Sequence, residues 1–153
     1  MTKQIVILGG GVGGTLTANL VARQLKREIA ADEAAVTLID ASGAHIYQPG
    51  FMYIAMGNQK PEKLVRPERA LLDDNVDLIV GLAARVDEAS CRVVLTDGKA
   101  YDYDFLVLAT GARILPESIE HFEREAHHFY TAEAAGRLRA ALDSRSEEHT
   151  SEL

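Results

Sequence analysis

The stretch Gln4-Ile5-Val6-Ile7-Leu8-Gly9-Gly10-Gly11-Val12-Gly13-Gly14 leaves a chain few ways to fold. An aliphatic run of strand character passes directly into five glycines around one valine. Gly9, Gly11 and Gly14 fill the pattern G-x-G-x-x-G. Between a buried strand and a helix, that spacing is the fingerprint of a dinucleotide-binding βαβ unit, and each glycine has a physical reason. Gly9 permits the tight turn out of the strand. Gly11 has no Cβ, so a pyrophosphate can approach the backbone. Gly14 lets the helix pack close to the sheet. The N-terminus of the helix offers unpaired N–H groups and a partial positive charge to phosphates. The dipole contributes only about 0.3–2 kcal/mol, so shape and hydrogen bonds must supply the rest.

Beyond the glycines, Leu16, Leu20 and Val21 fall on one side of a helix that is predicted to face the core and to end near Glu28. Residues 29–34 form an Ala/Asp/Glu-containing linker, and Val36-Thr37-Leu38-Ile39-Asp40 reads as a second strand. A strand–helix–strand unit of this length closes right-handed, with its strands parallel. Asp40 ends the second strand, 26 positions past Gly14, where the usual spacing is about 20; the linker accounts for the excess. A carboxylate there can accept hydrogen bonds from two ribose hydroxyls, and it repels a 2′-phosphate, which disfavours an NADP-type ligand.

Gln48-Pro49-Gly50 is a turn by its chemistry, and Phe51 to Met56 is a short apolar helical segment that serves either as core or as a wall beside a flat aromatic ligand. His45 reads as a surface histidine at a strand end. Pro67 to Leu72 reads as a short helix with proline in its first turn, and Val76 to Val80 as a third parallel strand. Short runs at Arg85–Asp87, Arg92–Thr96 and Ala100–Asp102, with Asp97-Gly98 as a hairpin turn, form an antiparallel meander that has Cys91 at its first turn. Tyr103 to Gly111 enters as a buried strand and leaves through Ala109-Thr110-Gly111. Placed beside the first strand, its end borders the crevice where open α/β sheets bind ligands.

Whole-chain properties narrow the function classes. The net charge of −7 argues against a nucleic-acid surface. The single cysteine excludes an internal disulfide and a cysteine-based zinc cluster, and no metal site is expected. No apolar run approaches the roughly 20 residues of a membrane span, and no leader precedes the first strand, so the expected location is the cytoplasm.

The order of these parts carries a resemblance. A glycine fingerprint, an acid closing the second strand, a meander and then Tyr103-Asp104-Phe105-Leu106-Val107-Leu108-Ala109-Thr110-Gly111 resemble the FAD domain of the two-dinucleotide-binding flavoproteins, the pyridine nucleotide-disulfide oxidoreductase superfamily. Residues 45–57 and His127-His128-Phe129-Tyr130-Thr131 are most similar to the sulfide:quinone oxidoreductase group, with type II NADH dehydrogenases as near neighbours. The resemblance implies a Rossmann-like α/β fold with FAD as cofactor. Gly9, Gly11, Val12, Gly13 and Gly14 would cradle the pyrophosphate, and Asp40 would hold the adenosine ribose. Ala109, Thr110 and Gly111 would line the cofactor, and Gln48, Pro49 and Gly50 would approach the flavin. It implies an oxidoreductase that passes electrons from a donor through flavin to an acceptor such as a quinone, with NAD(P)H or quinone as small-molecule partners and any membrane contact lying in further chain.

Two features depart from the pattern. No redox cysteine pair follows the second strand, which argues against a glutathione-reductase-like activity, and no cysteine lies between Gly111 and Leu153, where sulfide:quinone oxidoreductases carry a reactive one. No catalytic acid, base or nucleophile is assigned. Two alternatives stay open: a non-catalytic nucleotide-binding fragment and an NAD-dependent Rossmann dehydrogenase. The expected organisation is an FAD-binding domain over residues 1–143, truncated relative to the family and expected to be inactive on its own. Its last element is a helix capped by Thr131. Residues 144–153 are polar, without an apolar period, and are read as a non-native or disordered tail.

Overall fold

The structure, a computed structural model, describes residues 1–151. Its elements run in the order β1 (Lys3–Leu8), α1 (Val12–Gln24), α2 (Lys26–Ala30), β2 (Ala34–Asp40), β3 (Ala44–Ile46), α3 (Phe51–Ala55), β4 (Val65–Pro67), β5 (Val76–Val80), β6 (Ala83–Asp87), β7 (Arg92–Leu95), β8 (Ala100–Asp102), β9 (Phe105–Leu108), α4 (Phe122–Glu125) and α5 (Ala132–Ser151). They pack as two compact units. The first comprises Met1–His45 and Arg66–Gly111; the second comprises Ile46–Val65 and the chain from Ala112 onward.

The first unit is built on a parallel sheet of order β5-β2-β1-β9. Its register pairs Ile5 with Val36 and Phe105, and Leu8 with Ile39 and Leu108. The sheet explains the aliphatic composition of β1, because alternate side chains point to opposite faces and both faces are covered. Ile5 and Ile7 join Val36, Leu38 and Val76 against Ala18 and Ala22 of α1. Val6 and Leu8 join Ile39, Val93 and Leu95 under a second, antiparallel sheet of order β6-β7-β8. The parallel sheet is therefore a filling between a helix and the meander. Gly98 turns the β7–β8 hairpin with φ +86°, and the Leu95 N–H donates to the Lys99 carbonyl at 2.8 Å. Cys91 stands exposed at the β6–β7 turn.

The packing of α1 differs from the reading of its sequence. Gly14, Thr15, Ala18 and Ala22 form its buried face, whereas Leu16 and Leu20 are 56% and 52% exposed. Only Val21, of the three apolar residues expected inside, packs against the core cluster. Residues four apart share a helix face, and the face of smallest side chains wins because it lets the helix axis come nearest the sheet. The helix also stops earlier than expected, with a break at Leu25 before α2.

In the second unit, α3 packs on α5 through Phe51, Ile54, Ala55 and Ala135, with Leu64 completing the cluster. Thr131 caps α5, its Oγ1 accepting the Ala134 N–H at 3.1 Å. Pairs spaced four apart, Glu133–Arg137 and Arg139–Asp143, lie along the helix, both at 2.6 Å. The helix runs on through Ser151, into the stretch read from sequence as a tail; Glu152 and Leu153 lie outside the described residues.

Leu38→Ala empties a fully buried site between sheet and helix, and a loss of about 2–5 kcal/mol is expected. Leu20→Ala, on the exposed side of α1, is expected to stay within about 0.5 kcal/mol of the parent. Urea unfolding midpoints check both, and a large loss at Leu20 would contradict the orientation of α1.

Candidate functional site

At the end of β1 the chain turns where there is no room for side chains. Gly9 has φ +110°, and a Cβ built on it would lie 2.4 Å from the Ala109 carbonyl oxygen. A Cβ on Gly14 would lie 1.8 Å from the Gly9 carbonyl oxygen and 3.4 Å from the Ala109 Cβ. Gly10, which no position of G-x-G-x-x-G demands, is also sterically required, since its Cβ would meet the Asp40 Cγ at 2.8 Å. Gly11 and Gly13 are the opposite case, with nothing within 4 Å of a built Cβ. Gly11 has φ −76°, a value any residue adopts.

The hydrogen-bond accounting follows the same division. The Gly9 N–H is taken by the Ile39 carbonyl at 2.8 Å and the Gly10 N–H by Asp40 Oδ1 at 2.9 Å. The first intrahelical bond of α1 runs from Thr15 N–H to the Gly11 carbonyl at 2.9 Å. The N–H groups of Val12, Gly13 and Gly14 thus have no acceptor inside the helix, and α1 has no side-chain cap.

Asp40 is held tightly. Oδ2 accepts the Ser42 N–H at 3.0 Å, the Ser42 hydroxyl at 3.1 Å and the Gly43 N–H at 2.7 Å, while Oδ1 accepts only Gly10. Partial burial pushes the acid upward, but the bonds from Gly10, Ser42 and Gly43 outweigh it and bring its pKa below the ordinary 3.8. A carboxylate has about four lone-pair positions. With Oδ2 fully engaged, Asp40 has room for one further donor, on Oδ1, rather than the two that its sequence position suggested.

Ala109, Thr110 and Gly111 leave β9 beside this loop. Ala109 N–H donates to the Leu8 carbonyl at 2.8 Å, extending the parallel pairing by one residue, and Gly111 turns away with φ +74°. Because β2 and β9 flank β1 on opposite sides, the loops after β1 and β9 emerge at the point where strand order reverses.

Gln48, Pro49 and Gly50 belong to the second unit, where they form a single 3₁₀ turn. A Cβ on Gly50 would lie 2.5 Å from Leu64 Cδ2, so this glycine serves packing. Gln48 and Pro49 border a largely apolar cleft of about 550 Å³ together with Met52, His127, Phe129 and Tyr130. Phe51, Ile54 and Ala55 are core, while Met52, Tyr53 and Met56 are exposed. Among the described residues no cluster of three or more His, Cys, Asp or Glu could hold a metal, and no helix is long and apolar enough to cross a membrane.

One buried group escaped the sequence reading. Glu68, in the turn after Pro67, has no exposed surface. Its Oε1 accepts the Thr15 hydroxyl at 2.5 Å, and its Oε2 lies 3.1 Å from His45 Nδ1. His45, read as a surface residue, is largely enclosed here. A glutamate following a proline looks solvated in sequence, and nothing local marks it as buried.

Residues 3–149 match the sequence pattern of the pyridine nucleotide-disulphide oxidoreductases. The chain belongs to this family. It is 36% identical over 117 residues to the sulfide-quinone reductase of Aquifex aeolicus, covering 75% of this chain and 26% of that protein. It is 32% identical over 110 residues to a type II NADH:quinone oxidoreductase of Staphylococcus epidermidis, covering 71% and 26%. The solved sulfide:quinone oxidoreductase of Aquifex aeolicus superposes with a TM-score of 0.77 at 29% identity, over 93% of this chain and 32% of that one. The chain thus spans about a quarter to a third of the length of these relatives. Both the superfamily and the Rossmann-like fold read from the motifs are borne out.

The lowered pKa of Asp40 has a consequence for stability. Its ionised form contributes fully above the unfolded value of 3.8, and the contribution is lost as pH falls through the lower folded value. The stability gap between parent and Asp40→Asn is therefore expected to narrow as pH falls through the ordinary carboxylate value of 3.8 and below it. Urea midpoints at several pH values check this, and a gap independent of pH would contradict it.

Proposed function

We propose that this chain is the FAD-binding part of an oxidoreductase that moves electrons from a reduced donor through flavin to a quinone. The observation that carries this reading is the mouth of α1. Space is open over Gly11 and Gly13, and the N–H groups of the first helical turn have no acceptor in the helix. A pyrophosphate fits both facts, since it needs close backbone approach and a cluster of donors. Gly9 and Gly14 shape this cradle, Val12 and Gly13 supply N–H groups, and the remaining position on Asp40 Oδ1 suits one ribose hydroxyl. Ala109, Thr110 and Gly111 offer small side chains and backbone beside the cofactor. Gln48, Pro49 and Gly50 are assigned to the flavin end on the resemblance of residues 45–57 to the sulfide:quinone oxidoreductase group.

Flavin supplies the electron-transfer chemistry when bound; these residues bind and orient it. The quinone acceptor rests on the named activities of both relatives, and NAD(P)H is the donor in keeping with the second of them. No cysteine lies between Gly111 and Leu153, so this stretch offers no thiol to a sulfide donor. Catalytic turnover, and any peripheral contact with a membrane, are assigned to the whole protein rather than to this stretch.

Calorimetric titration with FAD and, separately, NADH tests the reading. FAD is expected to bind and NADH to bind far more weakly; the reverse preference would identify an NAD-dependent Rossmann protein instead. Gly11→Val should fold, because its backbone and surroundings admit a side chain, yet weaken FAD by at least about tenfold, or roughly 1.4 kcal/mol. Asp40→Ala should weaken it by about 1.5–3 kcal/mol, the scale of a hydrogen bond to a charged group. Unchanged FAD affinity in folded Gly11→Val would overturn the assignment of the loop.

A further inference from the structure

The cluster of Thr15, His45 and Glu68 takes no part in the binding described above, yet it touches the glycine loop from the protein side. His45 Nδ1 lies 3.1 Å from the Gly10 carbonyl oxygen, 3.1 Å from Glu68 Oε2 and 3.3 Å from Thr15 Oγ1. Thr15 Oγ1 lies 2.5 Å from Glu68 Oε1, 2.9 Å from the Gly11 carbonyl oxygen and 3.2 Å from that of Gly10. The Glu68 backbone N–H donates to the Gly43 carbonyl at 2.9 Å, beside the residues that hold Asp40. All of these lie within the first unit.

Counting protons shows what the cluster requires. Two hydrogens face it, one on the Thr15 hydroxyl and one on His45 Nδ1. The oxygens they must serve are both carboxylate oxygens of Glu68 and the carbonyls of Gly10 and Gly11. A buried carboxylate is tolerable only when donors match it. Thr15 serves Oε1, so His45 must carry hydrogen on Nδ1 and share it between Oε2 and the Gly10 carbonyl. The carboxylate of Glu68 therefore selects the His45 tautomer that also donates to the loop.

Peptide geometry turns this into an effect on the ligand side. All peptide bonds of the described chain are trans, and in a trans peptide the carbonyl and the following N–H point in opposite directions. Holding the Gly10 carbonyl against His45 aims the Gly11 N–H away from the protein. We propose that Glu68 is a positioning residue for dinucleotide binding, held by Thr15 on one oxygen and acting through His45 on the other to aim the Gly11 N–H group at the pyrophosphate. This rests on the FAD-binding reading.

Glu68→Gln is the test, because it keeps shape and one acceptor while replacing the other with an NH₂ donor. The variant is expected to keep its urea midpoint near that of the parent and to move His45 from the Nδ1–H to the Nε2–H tautomer by ¹⁵N NMR of the imidazole. It should also shift the Gly11 amide resonance without ligand, and weaken FAD roughly three- to tenfold, the worth of one hydrogen bond. An unmoved Gly11 amide together with an unmoved His45 tautomer would overturn the proposal. So would a moved amide with parental FAD affinity. If the parent itself does not bind FAD, the binding reading fails, while the ligand-free amide and tautomer shifts still report on the positioning. Should Glu68→Gln not fold, Thr15→Val against Thr15→Ser carries the same comparison: serine is expected to retain FAD affinity and valine to lose it, and equal affinities would overturn the proposal.

Discussion

Three backbones meet at one point in this protein, the exits of β1 and β9 and the first turn of α1, and they approach so closely that a methyl group cannot enter. Gly9 against the Ala109 carbonyl and Gly14 against the Gly9 carbonyl are the two contacts concerned. Everything else in the first unit follows from that approach. The helix can come this near only by turning its smallest residues, Gly14, Thr15, Ala18 and Ala22, toward the sheet. That choice excludes Leu16 and Leu20 from the core, brings the Thr15 hydroxyl to the loop carbonyls, and leaves the first N–H groups of α1 facing outward over Gly11 and Gly13.

The same corner separates groups that the protein satisfies from groups it leaves for a ligand. Gly9 and Gly10 spend their N–H groups on Ile39 and Asp40, and the carbonyls of Gly10 and Gly11 are engaged by Thr15 and His45. Asp40 is nearly saturated, and so it anchors the loop at least as much as it recognises a ribose. Buried polar groups are ordinarily paired, so a loop whose Gly9 and Gly10 N–H groups and Gly10 and Gly11 carbonyls are paired, while the N–H groups of the first helical turn have no acceptor in the helix, is a template with a vacant side.

Much of this was legible in the sequence, where physics acts over short range. The aliphatic run into glycine, Asp40 closing the second strand, the Asp97-Gly98 hairpin and the Thr131 cap are local signals, and each stands in the structure as read. The pairing of β9 with β1, only a condition in the reading of its Ala-Thr-Gly exit, is seen in the register. What escaped depends on residues distant in sequence. Gly10 is required because of Asp40, thirty positions away, and Glu68 is buried because of Thr15 and His45. The buried face of α1 was misread because periodicity ranks side chains by hydrophobicity, while the close approach to the sheet selects them by size.

The most direct measurement is a titration of the ¹⁵N-labelled chain with FAD, following backbone amides. If the loop is a pyrophosphate cradle, the amides of Gly11, Val12, Gly13 and Gly14 move first and furthest, saturating together with the flavin signal. FAD that binds while those four amides stay still, or that fails to bind a folded sample at all, contradicts the dinucleotide reading on which the account of this corner depends.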